Sequence, residues 1–307
     1  MKIPFERTIA GAYRFAFTNV LSIIGIGWFP YLVVTALGVG LAVLLYPSVH
    51  GLWLDDRKTI DTAKLMTTIV PLIGAVLLVL LALLVAQAMV TVGLMRKALG
   101  QHPGPVFIFF SLGGQVWRLI GSYILMLLLL CGGVMLAALA IGVVGAVLNQ
   151  FAQKVQPLVL GVLIFVAVLG YFYSVVRLSF FIPAVVVAED HIGLRRSWHL
   201  GRGNFWRIFG ISLIVSLPIQ LAVSTISSTM MQIAMVPGLD LQPGPMTDAQ
   251  SQKFVADLLD ALRRVGPYYA LLQILYLALL SGLTTGAVAN AYKAVTGDGS
   301  ADTKAVA

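Results

Sequence analysis

Residues 119–148 read LIGSYILMLLLLCGGVMLAALAIGVVGAVL, thirty consecutive positions without a Lys, Arg, Asp or Glu. A bilayer core of about 30 Å needs roughly 20 helical residues at 1.5 Å each, so this run is long enough to cross it. Five further stretches are equally free of charge and of similar reach: Ile23 to Tyr46, Ile69 to Met95, Leu158 to Val176, Ile208 to Met235 and Tyr268 to Tyr292. Composition agrees, with 59% hydrophobic and 10% charged residues in 307, against roughly 25% charged in soluble domains. The expectation is an all-α integral membrane protein with six transmembrane helices in a single domain, 1–292. The remainder, KAVTGDGSADTKAVA at 293–307, is too short to fold and is expected to be a disordered tail.

Direction follows from the charges between the spans, because positively charged short loops are retained on the cytoplasmic side. With the N-terminus inside, the inner segments hold thirteen Lys and Arg against five Asp and Glu, and the outer segments hold seven against seven. The whole net charge of +8 therefore falls on one face. An even number of spans with both termini cytoplasmic is expected. A basic balance of this kind suits anionic lipid. No Lys/Arg-rich tail, zinc spacing or RNA-binding signature points to nucleic acid.

The approaches to spans one, three and five resemble one another: TNVLSIIG at 18–25, GQVWRLIG at 114–121 and GNFWRIFG at 203–210. Asn19 and Asn204 can cap the helix that follows by accepting from its free N–H groups, and Gln115 holds the matching place. The pattern divides the chain into units 1–95, 96–189 and 190–292, giving three parallel two-span repeats. The alternative, that any surface helix leading into a span takes this form, stays open.

Three surface pieces accompany the spans. At the N-terminus, Glu6, Arg7 and Arg14 interrupt any signal-peptide core, while Phe5, Ile9, Tyr13 and Phe17 recur every four residues, as in an interfacial amphipathic helix. The inner segment AEDHIGLRRSWHLGRGNFWRIFG can start a helix at Asp190, end it at Gly201 and re-enter at Asn204. An outer piece from Thr247 to Arg264 opens on a Thr247/Gln250 capping box and carries Phe254, Leu258, Leu262 and Val265 as an apolar stripe, with Asp260 one turn from Arg264. It reads as a helix resting on the outer surface.

Catalytic chemistry finds no support. His50, His102, His191 and His199 lack metal-ligand spacing, no phosphate loop follows a strand, and no metal or other cofactor is implied. The only cysteine, Cys131, excludes an intramolecular disulfide and reads as a buried small apolar residue. Ser224, Thr225, Ser227, Ser228 and Thr229 suit hydrogen bonds to neighbouring helices or to their own backbone. Gln87, Gln220, Gln273 and Asn290 suit helix–helix contacts, and Pro30, Pro71 and Pro218 suit kinks. Arg177, at the inner boundary of span four, can snorkel as an anchor or pair with Glu189 or a lipid phosphate, and both readings stay open.

Across VVRLSFFIPAVVVAEDHIGLRRSWHLGRGNFWRIFG, an Arg is followed by a Pro-containing apolar run and an acidic residue. A serine, a Leu-x-x-Gly-Asn turn and an aromatic residue at the start of the next span come after it. The residues are Arg177, Pro183, Glu189, Ser197, Leu200, Gly203, Asn204 and Trp206. This pattern resembles the membrane domain found beside some glycerophosphoryl diester phosphodiesterases, and the YciC-like bacterial membrane proteins. The resemblance implies fold and a bacterial inner-membrane location rather than an activity, because the acidic metal ligands and paired histidines of the soluble phosphodiesterase barrel have no counterpart here.

The function expected is that of a non-enzymatic inner-membrane protein that organises or senses the bilayer through its basic cytoplasmic face. Its partners would be anionic membrane lipids or a protein. The candidate headgroup or partner contacts are Arg177, Arg195, Arg196, Trp198, Arg202, Trp206 and Arg207, with Gly203 and Asn204 forming the turn into the next helix. Indole suits the interface and guanidinium binds phosphate in bidentate fashion. The alternative is a transporter or flippase for a lipid or small amphiphile, which a central cavity lined by Gln220, Gln273 or Asn290 would favour over a closed centre. The topology is tested by single cysteines: with Asp56→Cys and Gln250→Cys an impermeant thiol reagent labels intact cells, and with Arg196→Cys it does not. Labelling at 196 overturns the orientation.

Overall fold

The computed structural model of the chain describes residues 2–54, 62–101, 107–234 and 248–297, and every regular element among them is helical. The order is α1 (Phe5–Thr18), α2 (Val20–Leu54), α3 (Thr62–Ala98), α4 (Gly114–Phe151), α5 (Gln156–Ser179), α6 (Ile182–Glu189), α7 (Leu194–Leu200), α8 (Phe205–Ala234) and α9 (Asp248–Thr296). Six segments are long and apolar enough to cross a membrane: Val20–Leu45, Met66–Ala98, Gly114–Phe151, Gln156–Glu189, Phe205–Met230 and Arg264–Thr296. These match the six charge-free stretches and are consistent with a multi-pass membrane protein.

The fourth segment differs from expectation. It does not stop at Val176 but runs to Ser179, turns at Phe180–Phe181 and continues as α6, which carries a proline in its first turn. Pro183 has no N–H to return to the Ser179 carbonyl four residues earlier, and the helix is interrupted just before it. Ile182 through Val187 are all buried, which makes α6 a plug of the bundle rather than a surface piece. Pro218 inside α8 removes the donor for the Ile214 carbonyl in the same way, and there Tyr13 of α1 supplies one, its hydroxyl donating to Ile214 O at 3.2 Å.

Helix α1 packs chiefly along α9. Its fully buried face is Thr8, Ala12 and Ala16; Phe5, Ile9 and Tyr13 pack partly against the core and Phe17 is exposed. Small residues meet small residues: Gly11 lies against Asn290, Ala12 against Gly286 and Ala16 against Gly282, an antiparallel close approach. Asn19 does not cap α2 but donates from Nδ2 to Phe15 O at 3.0 Å, closing the end of α1. Gln115 does not cap α4 either. It accepts from Arg96 Nε at 2.8 Å and donates to Val187 O at 3.3 Å, joining α3, α4 and α6.

The outer amphipathic piece and the sixth span form one helix, α9, which passes through Gly266 and Pro267 without a break. Thr247, the side chains of Phe254, Leu258, Asp260 and Leu262, and the tail 298–307 lie outside the described residues. Four of the five Ser and Thr in the α8 cluster bond their own helix, Ser224 and Thr225 donating to Leu221 O and Ser228 and Thr229 to Thr225 O, while the buried Ser227 hydroxyl has no partner among the described residues.

Buried residues gather at the end of the bundle that holds α6 and α7, where Val92, Met95, Val116, Leu119, Phe181, Ile208 and Leu283 join one core. The middles of α4 and α5 face outward. Cys131, expected to be buried, is exposed there beside Leu129, Met135 and Leu136, because no other helix covers that side of α4.

A Cβ built on Gly286 would lie 3.1 Å from Ala12 Cα and 3.2 Å from Ala12 O, whereas one on Gly132 would meet nothing within 4 Å. Gly286→Ala should therefore cost about 1–3 kcal/mol through overpacking, and Gly132→Ala should be neutral or slightly stabilising. Melting temperatures of the two purified variants check this, and equal values would mean that α1 does not depend on the close approach.

Candidate functional site at the basic end of the bundle

The turn from α6 to α7 is built on two consecutive acids. Asp190 ends α6 in the left-handed conformation, φ 54° and ψ 34°, so it closes one helix rather than starting the next, and α7 begins at Leu194. An aspartate tolerates this region because its short polar side chain can bond locally. Asp190 forms an ion pair with Arg118 of α4. That hydrogen bond, foremost, holds its carboxyl below the usual carboxylate range; desolvation opposes it, while the charges of Arg118 and Arg96 and a bond from Gln115 add to it. Glu189 accepts from Arg196 Nε at 3.0 Å and from the Tyr292 hydroxyl at 2.9 Å, with the His191 ring 3.9 Å away. The two carboxylates thus join α6 to α4, α7 and α9. Gly193 permits the turn, since a Cβ there would stand 2.4 Å from Val185 Cγ1.

Arg177 does not pair with Glu189. It is 7% exposed, donates from Nε to Trp198 O at 3.0 Å and from Nη1 to the Tyr173 hydroxyl at 2.8 Å, and its guanidinium sits 3.9 Å from the Trp198 ring centroid. Desolvated cation–π contact of this kind is worth about 2 kcal/mol. The residue anchors α5 to α7 instead of reaching a headgroup. Ser197, fully buried, completes that joint by donating to Leu178 O at 2.6 Å. Gly201 lies against the Arg177 side chain, where a Cβ would come within 2.7 Å of Cγ.

The following turn holds the N-terminus. Gly203 takes φ 74°, a conformation that favours glycine. Asn204 Oδ1 accepts the Ile3 N–H at 3.1 Å, and Arg207 Nη1 donates to Ile3 O at 2.6 Å. Both backbone groups of Ile3 are therefore bound by residues some two hundred positions away.

The seven expected contact residues thus divide. Arg177, Arg196 and Arg207 are committed to protein partners, and Trp198 packs on Arg177. The side chains of Arg195 and Arg202 are exposed and make no hydrogen bond or ion pair among the described residues. Trp206 is 77% exposed, resting edge-on against Phe205 and Phe209. Among the described residues, no three His, Cys, Asp or Glu side chains come together as metal ligands do.

A second polar region was not legible as a site. Beside the break at Phe180–Phe181 lies a cavity of about 270 Å³ whose wall includes Gln87, Tyr123, Ser212, Ser281 and Thr285. Gln220, Gln273 and Asn290 are not part of it; Asn290 donates to Gly286 O and packs over Gly11. The available signal was polar residues one turn apart on three different spans: Gln87 with Thr91, Ser212 with Ser216 and Ser281 with Thr285.

A helical bundle of six span-length segments, one of them broken at Phe180–Phe181, defines a polytopic membrane-type fold. The chain belongs to the family described as a domain of unknown function, DUF7847, which matches residues 115–295 and so more than half of it. No curated protein and no solved structure matches the chain.

The depressed Asp190 carboxyl contributes stability that is complete above the ordinary carboxylate range and fades as pH falls through its lowered folded value. The ion pair is solvent-exposed, so the effect should be small. Asn also tolerates the left-handed region, so Asp190→Asn should melt slightly below the unmodified chain at neutral pH, and the two should converge in strong acid. Parallel melting curves across pH would show that the charge contributes nothing.

Proposed function

We propose that this chain is a non-enzymatic protein of the bacterial inner membrane, with both termini cytoplasmic, that recruits anionic lipid to its basic end. The observation that carries this reading is the trio Arg195, Arg202 and Trp206, which stand exposed while the neighbouring arginines are bound within the protein. A basic residue near an anionic surface contributes roughly 1 kcal/mol. Guanidinium adds planar bidentate recognition of phosphate. The charge distribution supports the orientation, since thirteen of the twenty Lys and Arg fall on the side assigned to the cytoplasm.

The resemblance to the membrane domain beside glycerophosphoryl diester phosphodiesterases is supported by the work its pattern residues do. Pro183 breaks the fourth span, Glu189 and Arg177 join helices, Ser197 bonds Leu178 and Asn204 bonds Ile3. These are folding roles and imply no activity. Three parallel two-span repeats remain our reading of the pairs α2/α3, α4/α5 and α8/α9, supported by the similar approaches at 18–25, 114–121 and 203–210. A carrier for a lipid or small amphiphile is the second reading, favoured by the break in the fourth span, since discontinuous helices commonly border substrate sites.

The test separates topology from recognition. Arg195→Lys with Arg202→Lys keeps the positive charge and leaves Arg196 and Arg207 in their protein contacts. The variant should insert normally and retain several-fold less anionic lipid on purification, as read by lipid mass spectrometry. Unchanged lipid stoichiometry would reduce these arginines to topological anchors.

A further inference from the structure

The cavity beside the broken span is walled by residues of α3, α4, α5, α6, α8 and α9, and no Lys, Arg, Asp, Glu or His lines it. Apolar atoms of Phe180 and Val288 share the wall with side-chain hydroxyls. Three of those hydroxyls spend their proton on their own helix: Thr91 on Gln87 O at 2.7 Å, Ser216 on Ser212 O at 2.6 Å and Thr284 on Leu280 O at 2.8 Å. Their oxygens keep lone pairs to offer. Tyr123, Ser179, Ser212, Ser281 and Thr285 make no hydrogen bond from their side chains among the described residues. Thr285 is only 6% exposed, so the cavity is what its hydroxyl can reach. Gln87 uses its amide oxygen to accept from Tyr31 and so turns its two N–H donors to other partners.

We propose that this cavity binds a small, uncharged, polyhydroxylated molecule. An apolar occupant would leave each unpaired polar group with a desolvation penalty of about 1–3 kcal/mol. An ion would lose its hydration without a countercharge, at several kcal/mol. A polyol answers both kinds of group, because each hydroxyl can donate and accept, and its carbon chain can lie against Phe180 and Val288. The volume of about 270 Å³ corresponds to on the order of nine waters at their share of liquid volume, room for a short polyol but not for a lipid headgroup with its chains. A phosphodiester-linked glycerol is disfavoured further by the uncharged wall. This site is separate from the arginines at the basic end and stands without them.

The experiment uses the full chain in phosphatidylcholine nanodiscs with radiolabelled glycerol, erythritol and mannitol in equilibrium dialysis. At least one polyol should bind saturably, near one per chain, with little dependence on salt. Unlabelled 1,4-butanediol, which keeps the erythritol skeleton without its two inner hydroxyls, should compete at least several-fold less well than erythritol. Thr285→Val combined with Ser212→Ala should weaken binding about tenfold, the loss expected for two hydrogen bonds, while Gly132→Ala should leave it unchanged. The butanediol comparison needs no variant, so it holds even where the double substitution does not fold. Absence of saturable binding by all three polyols, butanediol competing as well as erythritol, or a folded double variant with unaltered affinity would each overturn the proposal and leave a cavity that holds water alone.

Discussion

Inside a hydrocarbon layer every backbone N–H and C=O must find its partner within the protein, and the architecture of this chain turns on where proline withholds one. Pro183 leaves the Ser179 carbonyl without its helical donor and divides the fourth span. The short helix that follows is buried along almost its whole length, and it brings Glu189 and Asp190 to the point where α4, α7 and α9 meet. Pro218 makes the same demand on α8, and Tyr13 answers it from a separate helix. One break thus creates the plug, the acidic turn and the edge of the polar cavity; the other ties α1 into the bundle.

The six spans were legible because their signal is one-dimensional: a charge-free run of sufficient length needs no knowledge of neighbours. What escaped the sequence depends on neighbours. Asn19 stands where a capping residue stands, yet bonds backward to Phe15, and Asn204, just before α8, also takes the N–H of Ile3. Arg177 sits at the right depth for an interfacial anchor, but the indole of Trp198 covers it from another helix. The apolar stripe of α1 suited a membrane surface, and the close seating of its small residues on the glycines of α9 was not visible in it. Of the candidate site, the residue types were legible; which arginines remain free was not, because Arg207 meets Ile3 across some two hundred residues and Arg196 meets Glu189 only through the turn between α6 and α7.

Arginine serves two purposes at this end of the molecule, and its chemistry suits both. A delocalised, weakly hydrated cation can be buried against aromatic rings, as Arg177 is by Trp198 and Tyr173. The same group left in solvent offers a fork for phosphate. Arg195 projects from a fixed frame, since Arg196 on the same short helix is held by Glu189.

The clasp on Ile3 also bears on the order in which the molecule is assembled. Its partners, Asn204 and Arg207, are made about two hundred residues later, and the α9 surface that receives α1 later still. At synthesis rates of about 5–20 residues per second, that interval is on the order of 10 to 40 seconds. During it the first helix has neither its glycine groove nor its backbone partners, while α2 and α3 can already pair beside it. A segment made well before its partners is therefore among the last to be seated, and release of a shortened chain ending before α9 would leave it without its berth.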